Sequence, residues 1–173
     1  MIVADLKDRW SALESRACTL HGELYQPNAT EIDCDLWEFQ RALTNAARAN
    51  NNDARYALRC AVDTYRGDLL EGSDYTWVEL VRRDLYRRAL DADLRLAEHE
   101  ENGGHSDEAV EVLQHAINLD RYAQEPYRRL MALHAGQCRP DAVTATWQLL
   151  HQRLGDLALD VEPATIRLYR SLT

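Results

Sequence analysis

The sequence has few residues that interrupt helices and few that favour strands. Its 173 residues include 7 glycines, 4 prolines and a single phenylalanine, and runs of β-branched residues are missing. Leucine, alanine, arginine and glutamate are abundant instead, and these residues suit helices. The composition therefore argues against a sheet-based fold and predicts an all-α domain.

Cysteine is too sparse and too widely spaced to define a zinc site or a disulfide framework. The 4 cysteines are Cys18, Cys34, Cys60 and Cys138, and no two of them form a C-x-x-C pair. The chain also has no apolar stretch of about 18 residues, the length that a membrane-spanning helix needs, and it opens without a signal peptide. We expect a soluble, cytoplasmic protein with reduced thiols.

Motifs of the common catalytic and nucleotide-binding classes are missing. The sequence contains no G-x-G-x-x-G, G-x-x-x-x-G-K-[ST], H-E-x-x-H or G-x-S-x-G, and its 6 histidines form no i, i+4 pair. Asp33 and Asp35 form an acid-x-acid pair, but they stand at a predicted helix start, where they complement the helix dipole. We expect no cofactor, no metal and no enzymatic activity.

Charge is the next informative feature. The formal net charge is −9, which argues against a chain that wraps nucleic acid, since phosphate binding needs a dense basic surface. The strongest basic cluster consists of Arg82, Arg83, Arg87 and Arg88, with Asp84 between them. Two interpretations stay open: a solvated helix face with intrahelical ion pairs, or a docking patch for DNA, polymerase or a neighbouring domain.

Apolar residues recur every three or four positions through most of the chain, which is the period of amphipathic helices. The fourth predicted helix has a broad apolar stripe that includes Trp77 and Leu80, so we expect neighbours on more than one side of it. The pattern predicts eight helices, over about 5–24, 31–49, 53–65, 77–102, 107–119, 126–135, 140–154 and 164–172.

Capping residues mark several of these boundaries. Asp53 and Ser106 are predicted N-caps, and Thr76 with Glu79 has the spacing of a capping box. Gly103, in "ENGGHSDEAV", is predicted to adopt the left-handed conformation that ends the fourth helix. The stretch is therefore interpreted as the turn of a helical hairpin.

The chain repeats itself. A shift of 33 residues places Gly103 on Gly136 and Ala109 on Ala142, so hairpins are expected to turn at Gly103–Gly104 and Gly136–Gln137. A weaker echo at a shift of 55 residues places Ala54 on Ala109. Hairpin units of this length with small residues at these points resemble the tetratricopeptide pattern. They predict a short right-handed solenoid, with a plain irregular helix bundle as the alternative.

The repeat alignment also predicts a groove. In a tetratricopeptide stack the first helix of each hairpin faces this groove, and exposed tyrosine and methionine there would suit capture of a peptide or ligand. The alternative is that the protein's own helices fill the groove. The predicted groove-facing residues are Glu98, Gln124, Tyr127, Met131 and His134.

Several segments resemble a known family. These are "VDTYRGDLLEGSDYTWV" (62–78), "LDRYAQEPYRRLM" (119–131) and "VEPATIRLYRSL" (161–172). Together with "IDCDLWEF" (32–39) they are similar to the bacterial transcriptional activator domain, the helical domain that follows the DNA-binding domain in antibiotic-pathway regulators of actinobacteria. The resemblance implies a tetratricopeptide-like domain over 33–173.

The resemblance also implies a function. Family members usually place a winged-helix domain of roughly ninety residues before the point that corresponds to Asp33 here. Residues 1–32 hold a predicted helix and linker, and "ELYQPNATEID" resembles a remnant of the final wing strands. We expect the regulatory half alone, either cut from a longer protein or standing on its own.

Such a module would act by helix–helix contacts with another domain or with the transcription machinery. We expect it not to bind specific DNA by itself and not to bind a membrane, and a homodimer stays open. The alternative is a stand-alone tetratricopeptide-like adaptor that is unrelated to transcription.

Overall fold

The computed structural model describes residues 18–21, 24–28, 33–72 and 74–173. Within these residues a two-stranded hairpin is followed by seven helices. The chain divides into two compact units, residues 1–38 and 39–173. The first unit contains the hairpin and the second contains nearly all of the helical structure.

The hairpin corrects the predicted N-terminal helix. Strands β1 (Cys18–His21) and β2 (Leu24–Pro27) pair antiparallel, with Cys18 opposite Pro27 and His21 opposite Leu24. The prediction of a helix over 5–24 is wrong for the part that these strands occupy, and residues 5–17 lie outside the described residues. The overlooked sequence signal is the glycine of the Gly-Glu dipeptide at positions 22–23, because glycine is frequent in the sequences of short hairpin loops.

The other seven predicted helices are confirmed, most with both ends within about two residues, which is the usual uncertainty of a helix boundary. No described helix is long and apolar enough to cross a membrane. The helices are α1 (Asp35–Arg48), α2 (Asn51–Thr64), α3 (Thr76–Asn102), α4 (Ser106–Leu119), α5 (Gln124–Gly136), α6 (Pro140–Asp156) and α7 (Pro163–Leu172).

Three predicted N-caps are wrong. The side chain of Asn50, and not that of Asp53, caps α2 by accepting the backbone N–H of Asp53. Thr76 and Ser106 are the first helical residues of α3 and α4, and the residues before them make no side-chain cap hydrogen bond. Helices α3 and α4 begin one residue earlier than the predicted caps allow, which is within the usual uncertainty of a helix end. Helix α2 begins three residues earlier.

In the turn after α3, the residue with the left-handed backbone is Gly104, one residue later than predicted. Gly103 has φ −79°, whereas Gly104 has φ 76°. His105 N–H donates to Glu100 C=O at 2.9 Å and Gly104 N–H donates to Glu101 C=O at 3.1 Å. These two bonds form a Schellman motif, which satisfies carbonyls at the end of the helix. Glycine at position 104 therefore carries the positive φ without a Cβ penalty.

The same turn recurs after α5. Cys138 has φ 57°, Cys138 N–H donates to Ala135 C=O at 3.0 Å, and Arg139 N–H donates to His134 C=O at 2.9 Å. Cys138 therefore corresponds to Gly104, a shift of 34 residues. The shift of 33 predicted from matching glycine and alanine residues is wrong by one.

Burial supports the corrected shift. Ala109 is fully buried and its counterpart is the buried Val143, whereas the predicted counterpart Ala142 is half-buried. The shift of 55 residues is confirmed, because the buried Ala54, Ala61 and Val62 of α2 correspond to buried residues of α4. Buried pairs at a shift of 34 include Asp93/Tyr127, Leu96/Leu130, Ala97/Met131, Glu100/His134, Ala109/Val143, Val112/Thr146 and Ala116/Leu150.

The predicted stack of helical hairpins is confirmed. Helices α3 and α4 form one hairpin and α5 and α6 form the next, while α2 packs on α3 and α4 packs on α5. Helix α7 packs on α5 and α6, where the rings of Trp147 and Tyr169 stack 4.3 Å apart. Each hairpin thus buries its apolar face against its neighbours, as in other repeat folds.

Candidate functional site

The loop before α3 is held by one arginine. Arg82 donates from Nε to the Leu69 carbonyl at 2.7 Å and from a terminal nitrogen to the Leu70 carbonyl, and it also pairs with Glu79 at 2.7 Å. Its side chain is 15% exposed. Arg82 was predicted as a member of a docking patch, but these bonds occupy it within the protein. The bonds of Arg82 to the Leu69 and Leu70 carbonyls join the loop to α3.

That loop contains an exposed apolar residue with a strained backbone. Leu70 has φ 51° and is 49% exposed. A left-handed backbone is unfavourable for a residue with a branched side chain, and such strain persists only where the surroundings enforce it. The Arg82 bond to the Leu70 carbonyl is one contact that enforces it.

Large apolar residues are exposed beside this loop. Trp77 is 60% exposed and Leu80 is 73% exposed, so the prediction that both point into the core is wrong, and the buried Val78 takes the inward position. The ring of Tyr75, itself 59% exposed, stacks on that of Trp77 with centroids 6.2 Å apart. Contiguous exposed apolar surface on a soluble domain often marks an interaction site.

Arginines continue this surface along the helix. Arg83, Arg87 and Arg88 are exposed, and both Arg87 and Arg88 lie 2.8 Å from the Asp84 carboxylate. Exposed ion pairs of this kind contribute little to stability, and two guanidiniums share this one carboxylate while Arg83 adds a third positive charge. The helix therefore presents positive charge next to the aromatic pair, although the loop adds the exposed carboxylates of Glu71 and Asp74.

We call this set the α3 surface, which consists of Leu70, Tyr75, Trp77, Leu80, Arg83, Arg87 and Arg88. Tryptophan, tyrosine and arginine are the residues that most often dominate protein–protein binding energy. The composition of the α3 surface therefore suits recognition of a protein partner.

The predicted groove residues have a different outcome. Glu98 is exposed, but Gln124, Tyr127, Met131 and His134 are buried, with Tyr127 and Met131 fully inaccessible. Tyrosine and methionine are therefore not exposed there, which agrees with the alternative that the protein's own helices fill the groove. A partner could reach them only after those helices moved.

Gln124 shows how the C-terminal segment covers this region. Its Nε2 donates to the Asp160 carbonyl at 3.1 Å, and its Oε1 accepts the Glu162 N–H at 2.9 Å and the Thr165 hydroxyl at 3.0 Å. Three bonds from one buried amide therefore fix the start of α7 against α5. A buried amide needs such partners, since an unpaired one is costly.

Tyr127 is hydrogen-bonded to α6, the other helix of its hairpin. Its hydroxyl donates to the Arg121 carbonyl at 3.0 Å and accepts from Arg153 of α6 at 2.7 Å. Met131 and Tyr127 thus belong to the core between repeats, and their spacing on α5 reflects packing.

His134 is the exception among the buried polar groups. Its Nδ1 is the only buried side-chain nitrogen or oxygen without a hydrogen-bond partner in the described residues. Burial lowers the pKa of His134, and Arg139 lowers it further. The ring is therefore neutral near pH 7, and its unpaired nitrogen costs stability.

Two buried carboxylates were not predicted. Asp93 and Glu100 lie on α3 with 1% and 0% exposure, beside the apolar Leu96 and Ala97. The sequence signal was available: two acidic residues seven positions apart interrupt an otherwise apolar helix face. Charged side chains at such positions are rarely buried unless they are paired.

Each buried carboxylate holds a basic group from a neighbouring helix. Glu100 accepts from Arg55 at 2.7 Å and from Arg59 at 3.0 Å. Burial would raise the pKa of Glu100, but the bonds from these arginines outweigh it and the pKa is lowered. The ion pairs thus keep Glu100 charged and tie α2 to α3.

No three histidine, cysteine, aspartate or glutamate side chains among the described residues are placed to hold a metal ion. Residues 34–173 match the family model of the bacterial transcriptional activator domain. The search of curated proteins found no match.

Proposed function

The chain belongs to the bacterial transcriptional activator domain family, and from this we propose that it is the protein-interaction module of a bacterial transcriptional regulator. It acts by helix–helix contact with another domain of that regulator or with the transcription machinery, and it has no chemistry of its own. It works in the cytoplasm, where bacterial regulators meet DNA. The family membership favours this role over an adaptor unrelated to transcription.

The α3 surface carries the proposal. Exposure of Trp77 and Leu80 at 60% and 73% leaves apolar area in water, which is unfavourable by about 25 cal/mol for each Å². A partner that covers this area removes that cost, and the adjacent arginines give the contact its orientation.

A fusion reporter tests the proposal. The chain is joined to an unrelated DNA-binding domain, and transcription from a promoter bearing its site is measured in bacteria. We expect activation by the unchanged chain and its loss in Trp77→Ala/Leu80→Ala. The control is Tyr56→Ala/Leu157→Ala, which removes side chains that are 74% and 53% exposed elsewhere.

The outcomes separate the two parts of the proposal. If the unchanged fusion never activates, the chain is not an activating module. If the Trp77→Ala/Leu80→Ala fusion activates as well as the control, the α3 surface is not the contact.

A further inference from the structure

A groove lies between helices α1 and α3, and it adjoins the set of residues that we call the α3 surface. It has a volume of about 630 Å³ and includes Arg88, which also belongs to the α3 surface. The lining residues are Gln40, Leu43, Thr44, Ala47 and Arg48 from α1, and Arg88, Asp91 and Arg95 from α3.

The groove carries an excess of positive charge. Guanidinium groups line it from both helices, Arg48 on α1 and Arg88 and Arg95 on α3, while Asp91 is the one carboxylate in the lining. The nearest described ion pair of Arg95 is to Asp91 at 3.7 Å, beyond hydrogen-bond distance. The N–H groups of Arg95 therefore make no hydrogen bond to Asp91.

This excess is unusual in a chain whose net charge is −9. Like charges that face each other across a groove repel, so an anionic group between them is stabilised. Arginine is suited to carboxylate, because its planar fork can form two parallel hydrogen bonds to it.

Two residues of α1 add apolar surface to the lining of the groove. Leu43 is half-buried, and Ala47, one turn further along α1, is exposed. The hydroxyl of Thr44 donates to the Gln40 carbonyl at 2.8 Å, so it is already satisfied within α1. An occupant thus meets an apolar strip bordered by guanidiniums, a combination that fits an amphipathic segment better than a fully polar one.

We propose that this groove binds an acidic amphipathic helix of the partner, with carboxylates on Arg48 and Arg95 and apolar side chains on Leu43 and Ala47. The inference rests on the proposed function and names the chemistry of the partner. Arg88 makes the groove continuous with the α3 surface, so one partner can occupy both.

Nucleic acid is the competing anion. Duplex DNA needs several phosphate contacts from a broad basic surface, whereas this groove offers three arginines in an acidic chain. The charge of the remaining surface repels a long polyanion but tolerates a short acidic helix.

Binding of a designed peptide tests the groove. The probe is a fluorescein-labelled peptide of about five helical turns with leucine on one face and glutamate on the others, and the matched peptide carries glutamine in place of glutamate. Fluorescence anisotropy is measured with the whole chain at about 0.15 M salt. We expect the glutamate peptide to bind about tenfold more tightly, the factor that one charge-assisted hydrogen bond supplies.

Two variants locate the binding. Arg48→Glu/Arg95→Glu should weaken the glutamate peptide at least about tenfold, while Arg167→Glu/Arg170→Glu, which reverses two exposed arginines of α7, should leave it unchanged. Circular dichroism confirms that both variants fold. Equal binding of the two peptides, or an unchanged affinity in Arg48→Glu/Arg95→Glu, overturns the proposal.

Two further measurements separate the possible failures. A labelled random duplex that binds more tightly than the glutamate peptide, and loses affinity in Arg48→Glu/Arg95→Glu, assigns the groove to nucleic acid and overturns the proposal. If the glutamate peptide does not bind but the fusion reporter is active, only the proposed acidic helix in the groove is rejected. The proposed function then stands, because Arg48 and Arg95 lie outside the α3 surface.

Discussion

The imidazole of His115 and the carboxylate of Asp93 form a pair across the interface of α4 and α3, with Nδ1 3.0 Å from both carboxylate oxygens. Asp93 is 1% exposed, whereas the His115 side chain is 46% exposed. The hydrogen bond to Asp93 raises the pKa of His115, and burial raises that of Asp93. The histidine thus supplies the partner that a buried carboxylate requires.

This pair predicts a pH-dependent stability. Because the folded pKa of His115 lies above its unfolded value of about 6.5, its stabilisation is complete below that pH and is lost as the pH rises through the folded pKa. The side chain is half-exposed, so solvent screening keeps the effect below about 1 kcal/mol. Urea denaturation from about pH 5.5 to 8.5 should therefore show a slope that His115→Gln lacks.

The comparison with His115→Gln is needed because His134 opposes this slope. Its folded pKa is lowered, so its own contribution to stability increases with pH. Equal pH slopes in the unchanged chain and His115→Gln would contradict the proposed pairing.

Replacement of His134 should stabilise the protein. His134→Leu removes the unpaired buried Nδ1, and we expect a gain of about 1 kcal/mol in the free energy of unfolding near pH 7. The gain should grow as the pH falls below about 6.5, where the unfolded histidine takes up a proton that the folded one resists. A loss of stability in His134→Leu at every pH would show that Nδ1 is satisfied in the protein.

The corrected repeat predicts unequal effects at two alanines. Ala109 is fully buried, so Ala109→Leu should reduce the free energy of unfolding by about 1–3 kcal/mol through overpacking. Ala142, which the shift of 33 had made its equivalent, is half-buried, and Ala142→Leu should cost less. Chemical denaturation of both variants measures the difference. Equal losses would favour the shift of 33.

These outcomes indicate which features can be read from this sequence. The amphipathic period and the turn residues predicted the positions of α1 to α7 well, because each helix must bury one continuous apolar stripe. The shift of the repeat was wrong by one residue, since identical residues at Ala109 and Ala142 say nothing about which of them points inward. That orientation depends on where the preceding left-handed residue lies, and here it is Gly104 and Cys138.

The candidate site was less predictable for a related reason. Tyr127 and Met131 follow the spacing of groove residues, but both are fully buried in the stack. Which face of a helix its neighbours cover depends on the packing of the whole stack and not on the local sequence. Trp77 was assigned to the core because an apolar residue at helical spacing is usually buried. It is nevertheless 60% exposed, because periodicity alone does not tell which turns of a long helix are covered by neighbours.

DNA binding provides a further prediction. We expect the chain alone to show no sequence-preferring affinity for duplex DNA, because its net charge is −9 and Arg82 is occupied within the protein. Specific binding normally needs a recognition element in a groove and several phosphate contacts. Anisotropy titrations with promoter and random duplexes at about 0.15 M salt measure this. Tight binding that prefers one sequence would be incompatible with an interaction module.

Site-specific photo-crosslinking in bacteria tests directly whether the α3 surface contacts a protein partner. Trp77 is replaced by p-benzoylphenylalanine in one variant and Tyr56, which is 74% exposed on α2, is replaced in the other. We expect a discrete adduct from position 77, either within the full regulator or with a second protein, and none from position 56. An absence of adducts at position 77, or the same adducts from both positions, would contradict this expectation.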